Sequence, residues 1–148
     1  MSAHPRTQQT RPLPALRILA YAPGSKREEW ILSDLRKVAA IVQVARSPTD
    51  VIAALTEDPP PVPAVLVLDF DHMPAAEMLL IHTIRERGWC GEIVAVGAIA
   101  MAMRNSLGIE RVVSATAPPG ALTNEINSVG FHAKTTQIPL AKLNAREG

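Results

Sequence analysis

Asp69, Asp71 and His72 follow directly on a continuous apolar run, Ala64-Val65-Leu66-Val67-Leu68. Carboxylates at this spacing can hold a divalent cation or act as nucleophiles toward a phosphoryl group. Three near neighbours on one loop rarely converge on a single ion, so no metal site is assigned. Local work is expected of them instead: capping the next helix and solvating the sheet edge. A second candidate is Gly24-Ser25-Lys26, a turn that opens a helix and so offers an anion a place. It lacks the spacing of a phosphate-binding loop and the glycines of a dinucleotide-binding turn, so an ordinary turn with a solvated lysine is expected. Cys90 is the only cysteine, which excludes an intramolecular disulfide and a multi-cysteine metal cage. Nothing around it would activate a thiol. His82 lies among Leu79, Leu80, Ile81 and Ile84 and reads as a helix-face residue, whereas His4 and His132 lie in or beside the tails. No nucleophile, base and orienting group can be assembled from these residues. No catalytic residue, metal or cofactor is assigned, and the chain is not expected to be an enzyme.

The elements that must position the two aspartates alternate regularly. The first strand is Leu16-Arg17-Ile18-Leu19-Ala20-Tyr21, which ends at Pro23-Gly24-Ser25. A helix is expected over 27–40, its buried stripe formed by Ile31, Leu35 and Val38. A second strand is expected over 41–45. Ser47 then caps a helix with Pro48 at its first position and Asp50 in its first turn. That helix stops by Pro59, because Pro59-Pro60-Pro61-Val62-Pro63 fits neither helix nor central strand. The run 64–68 lacks polar alternation, the mark of a strand buried on both faces of a parallel sheet. Helices are expected over 74–87 and 100–107, the latter closed by Gly108. Strands are expected over 93–96 and 111–114, and a last helix over 119–129. Five strands alternating with five helices predict an α/β fold with a doubly wound, five-stranded parallel sheet. Residues 15–131 are expected to form one domain, between a flexible arm at 1–14 and a mobile tail at 132–148.

Composition narrows the partners. Fifteen basic residues against fourteen acidic ones leave a net charge of +1, which gives nucleic acid or an anionic membrane no electrostatic footing. The apolar runs are too short to span a bilayer and the N-terminus has no signal-peptide core, so a cytoplasmic location is expected. At 47% apolar but 3% aromatic, the core must be packed by Ala, Val, Ile and Leu.

The five β-α units and the stretch Val65-Leu66-Val67-Leu68-Asp69-Phe70-Asp71-His72-Met73-Pro74 together resemble the response-regulator receiver family, whose fold is flavodoxin-like with strand order 2-1-3-4-5. The resemblance covers residues 16–129 and implies that Asp69, with Asp71 beside it, stands at the phosphoacceptor position. Receiver phosphotransfer also uses an acidic pair after the first strand, a hydroxyl after the fourth and a Lys-Pro after the fifth. Here those positions hold Ala22-Pro23, Gly97 or Ala98, and Thr116-Ala117-Pro118. The proline also departs from its usual offset, four residues intervening after Asp69 and two after Asp71. The Asp-x-Asp pattern is also similar to the first motif of haloacid-dehalogenase-type phosphatases. Those enzymes carry it near the start of the fold and need a downstream lysine and further acids, and neither requirement is met.

The resemblance therefore implies a degenerate receiver, with three readings open. The first is a phosphorylation-independent signalling or scaffold module. It would bind a protein partner or a second copy through the face of the fourth helix, fifth strand and fifth helix, with Ile99, Met101, Met103, Leu107 and Val113 on that face. The segment Ala98-Ile99-Ala100-Met101-Ala102-Met103 is apolar nearly all round, unlike an ordinary surface helix. The second reading is a small-molecule sensor with a crevice lined by Tyr21, Pro23, Gly24 and Ser25, opposite Asp69 and Asp71. The third is an atypical receiver phosphorylated on Asp69.

Overall fold

The computed structural model describes residues 15–38 and 40–128. The arm at 1–14, the tail at 132–148 and the last residue expected for the fifth helix lie outside them.

Five strands form one parallel sheet: β1 (Leu16–Tyr21), β2 (Ala40–Ala45), β3 (Val65–Asp69), β4 (Glu92–Val96) and β5 (Arg111–Val113). Their order is β2-β1-β3-β4-β5, with Leu16 opposite Ala40, Ile18 opposite Val65 and Val65 opposite Glu92. The parallel five-stranded sheet is the one expected from the alternation of elements, and its order is the one that the receiver resemblance implied. Every residue of β3 is buried, as its unbroken apolar run requires.

Strand side chains alternate between two cores, one on each face of the sheet. Leu19, Leu66, Leu68 and Ile93 pack on one face with Val51, Leu55, Leu80, Ile81 and Ile84. Ile18, Val65, Val67 and Val94 pack on the other with Ile31, Leu35, Leu122 and Ile126. The first face is thus covered by α2 (Pro48–Ile52), α3 (Leu79–Glu86) and α4 (Met101–Leu107), and the second by α1 (Arg27–Leu35) and a helix over 121–128, α5.

Several boundaries differ from those expected. Helix α1 ends at Leu35, four residues past its buried Ile31, and gives way to a turn closed by Lys37 N–H on the Asp34 carbonyl and Val38 N–H on the Leu35 carbonyl. Val38 still reaches the core, but from this turn, and Ala40 already pairs with β1. Ser47 caps α2 as expected, accepting the Asp50 N–H at 3.1 Å. The helix then widens to a π-helical turn over Ala53–Glu57 before the prolines. The third helical region opens as a 3-10 turn over Ala75–Met78 and becomes α-helical at Leu79. Helix α4 closes on Gly108, which takes the left-handed conformation (φ 69°) that the sequence suggested.

Helix α5 has no polar residue of its own at the cap position, where Pro118-Pro119-Gly120 precede it. Asp34 of α1 serves instead. Its buried carboxylate accepts the N–H groups of Gly120 and Thr123, both at 3.1 Å, while its carbonyl accepts the Thr123 hydroxyl at 2.8 Å. One side chain therefore satisfies two unpaired donors of a helix 86 and 89 residues away.

Candidate functional site

In a doubly wound sheet, ligands sit at the carboxyl ends of the strands beside the point where the strand order reverses. Here that point lies between β1 and β3, and Asp69 ends β3 there. Its side chain is only 1% exposed. A carboxylate so buried requires compensation, and two groups supply it. Arg27 Nη1 donates to Asp69 Oδ1 at 2.8 Å, and His72 Nδ1 donates to Oδ2 at 2.8 Å. Both oxygens of the buried aspartate are engaged.

Arg27 is the first residue of α1, and the turn after β1 aims it across the ends of the strands. The same Nη1 atom lies 3.2 Å from Asp71 Oδ2 and 3.4 Å from the carbonyl oxygen of Val96. Three oxygens from the ends of β3 and β4 thus converge on one guanidinium nitrogen. A delocalised cation that stays charged at any accessible pH suits such a position. The charge that an acidic pocket would demand from a bound ion is supplied by the chain itself.

Asp71 has a second task. Its Oδ1 accepts the backbone N–H of Ala98 at 2.9 Å. Gly97, at φ 134°, leaves the space for this approach, since a Cβ there would stand 2.6 Å from the Asp71 carboxyl carbon. The carboxylate rests in a notch that only glycine opens. Neither short helix after β3 has a side-chain cap, so the expectation that these residues cap the next helix is corrected. They bond across the ends of the strands instead, the buried Asp69 to Arg27 and Asp71 to Arg27 and the Ala98 N–H. Among the described residues, no three His, Cys, Asp or Glu side chains gather as a metal site would require.

Arg27 lies across the place of the crevice expected between the loops after β1 and β3, with Nη1 within 3.2 Å of both Asp69 and Asp71. Tyr21 is 3% exposed and packs on the opposite core, where its hydroxyl donates to Glu77 Oε1 at 2.8 Å. Burial, then the hydrogen bond and charge of Glu77, push its pKa well above that of an ordinary phenol. Pro23 is exposed, and the Ser25 hydroxyl accepts the Glu28 N–H at 3.1 Å. Gly24 and Ser25 line a separate shallow depression with Lys26, Glu28, Glu29, Leu32 and Arg46, which does not include Asp69 or Asp71. Arg46 is paired with Glu28 there.

The face assigned to Ile99, Met101, Met103, Leu107 and Val113 divides. Met101 and Met103 are 63% and 43% exposed, so these two positions of the helix are not packed against the domain. Ile99 is half-buried against the core, and Leu107 and Val113 lie inside it at 8% and 5% exposure. Those two are corrected from surface to core. Leu107 is the inward residue at the end of α4, and Val113 continues the alternation by which β5 contacts the α1-α5 face. The Thr116 hydroxyl shares a hydrogen bond with the Ser114 hydroxyl at 3.0 Å, in the stretch Thr116-Ala117-Pro118 where the resemblance would put a Lys-Pro pair.

Arg27 was not legible as a site residue. Its type and position match an ordinary basic residue in a helical first turn, like Lys26 beside it. A signal did exist: two carboxylates at the end of a buried strand, with no lysine before Pro118, require a cation from another loop.

No family model matches the chain, and no curated protein matches it. Solved structures do. A CheY-like response regulator receiver domain protein from Methanospirillum hungatei shares 13% identity at a TM-score of 0.66, over 82% of this chain and 99% of that one. The chemotaxis response regulator CheY4 of Vibrio cholerae shares 13% at 0.62, over 78% and 99%. An adenylate cyclase structure from Rhodopirellula baltica shares 18% at 0.67, over 87% and 98%. At these identities the likeness concerns the fold, and it agrees with the strand order β2-β1-β3-β4-β5: the chain has the fold of a CheY-like receiver domain.

Proposed function

We propose that this domain is a phosphorylation-independent signalling module, a pseudo-receiver that acts by binding protein. One observation carries the reading. Both oxygens of Asp69 are occupied by groups of the chain itself, Arg27 and His72, at 2.8 Å each. In-line transfer to a carboxylate needs a free oxygen and cations placed to neutralise the incoming phosphoryl group. Here the cation is spent on the carboxylate, and the positions where a receiver carries its acidic pair and its Lys-Pro hold Ala22-Pro23 and Thr116-Ala117-Pro118. The reading of Asp69 as a phosphorylated residue loses support for the same reason. The sensor reading loses support because Arg27 lies across the place assigned to its crevice.

Protein binding is the output that remains open to such a domain. Exposed methionines on α4 favour it, since Met side chains adapt to varied apolar partners. The partner is a second copy or another protein, with no role for nucleic acid, cofactor or catalysis. Light scattering of the purified chain and co-purification from its native lysate test this, each with and without Mg²⁺ and acetyl phosphate. An assembly indifferent to both additives and lost in the Met101→Glu/Met103→Glu variant supports the proposal. An assembly formed only when both additives are present contradicts it.

A further inference from the structure

Three loops meet at the carboxyl end of the sheet, and one carboxylate holds them together. Asp71 leaves β3 in the turn Phe70–His72. Its Oδ2 faces Arg27, which opens α1, and its Oδ1 takes the Ala98 N–H, which lies in the segment leading from β4 into α4. Arg27 closes the circuit by reaching the Val96 carbonyl oxygen at the end of β4. On the other side of the same segment, the Gly97 N–H is held by the Val113 carbonyl oxygen at 2.9 Å. The segment 97–100 is short, and Met101 begins α4 immediately after it. The position of that helix start is therefore set by what holds 97–98.

We infer that Asp71 is a built-in anion that locks the β4-α4 segment, so that α4 keeps one position without any added ligand or modification. The inference rests on the reading of the pocket as filled by the chain itself, and goes beyond it by coupling the pocket to α4. Two features point to a lock and not to an incidental contact. Gly97 has a conformation and a missing Cβ that together make room for the carboxylate, at 2.6 Å from where a side chain would stand. The Ala98 N–H, at the surface end of a strand, could have been left to water, yet it receives a charged acceptor that is itself clamped by Arg27. An acceptor fixed at its other oxygen loses little further freedom on making the bond, which makes the contact a firm one.

Site-resolved amide hydrogen exchange tests this on the whole chain, because it reads local opening one position at a time. The variants are Asp71→Ala, which removes the anion, and Asp71→Asn, which keeps an acceptor oxygen for Ala98 but loses the charge. Position 71 is exposed and lies in a turn, so both should fold. In Asp71→Ala, exchange at Ala98 and along 101–107 should rise about tenfold or more, as expected for the loss of a charge-assisted hydrogen bond. Exchange in α1 beyond its first turn and in α5 should be unchanged. Asp71→Asn should retain most of the Ala98 protection. Sodium formate added to Asp71→Ala should restore part of it, against sodium chloride at equal ionic strength as the control. Unchanged exchange at Ala98 and α4 in Asp71→Ala would overturn the inference, as would a uniform rise across the domain. These outcomes do not depend on whether Asp69 accepts a phosphoryl group, so this inference and the proposed function can fail separately.

Discussion

Replacing Arg27 by alanine removes the guanidinium that touches Asp69 and leaves a carboxylate 1% exposed, with a histidine on one oxygen and Asp71 close by. Opposite unit charges about 3 Å apart attract by about 5 kcal/mol at the effective dielectric of a site near a protein surface. Desolvation of both groups offsets part of this, and the Arg27 side chain keeps 18% exposure. Removing one partner of such a pair, however, strands the other, and we set the net loss at about 3 kcal/mol. That corresponds to a fall in Tm of roughly 10 °C for a domain of this size. The effect of Asp69→Asn depends on the background. With Arg27 present, the substitution discards a good ion pair and should cost about 1 kcal/mol. With Arg27→Ala, the same substitution relieves both burial and repulsion from Asp71, and should stabilise by about 1 kcal/mol. The sign reverses, and the coupling of about 2 kcal/mol exceeds the roughly 0.5 kcal/mol expected of independent sites. Urea unfolding followed by the fluorescence of Trp30 and Trp89 measures all four proteins. If Asp69→Asn stabilises the parent, or if the two substitutions simply add, Arg27 is not what compensates Asp69.

Two further outcomes concern other buried polar groups. Asp34→Ala strips Gly120 and Thr123 of their acceptor and should cost about 2 kcal/mol in urea unfolding, with faster amide exchange confined at first to the start of α5; Asp34→Asn should recover part of the loss. Tyr21 is the only tyrosine, so phenolate absorbance reports it alone. Its folded pKa is raised, so the stability it lends is complete below about pH 10, the value for an unfolded phenol, and is lost as pH rises above that. Phenolate absorbance should therefore appear together with unfolding, and ionisation of an intact fold near pH 10 would count against the burial described for it.

The residues that gave away the fold were those whose chemistry is local. The run Val65-Leu66-Val67-Leu68 has no polar alternation, so it had to be a covered central strand, and Ser47-Pro48 and Gly108 mark helix ends through their own backbone preferences. The two aspartates could likewise be placed at the end of β3 from order alone. What escaped were residues whose role is created by contacts distant in sequence. Arg27 meets Asp69 across 42 positions and Asp34 meets Gly120 across 86, and no periodicity carries either pairing. Tyr21 was placed in the site because it ends β1 there, but alternation along the strand turns it to the other face. The same alternation takes Val113 out of the proposed surface, and Leu107 turns inward as the one buried residue of α4.

We propose that Arg27 and His72 of the chain itself stand where a receiver would take a phosphoryl group. Intact-mass measurement of the folded domain with acetyl phosphate and Mg²⁺, beside Asp69→Ala, tests it most directly. No gain in mass by the parent beyond that of the variant is expected. A stoichiometric gain of one phosphoryl group, lost in Asp69→Ala, would contradict it.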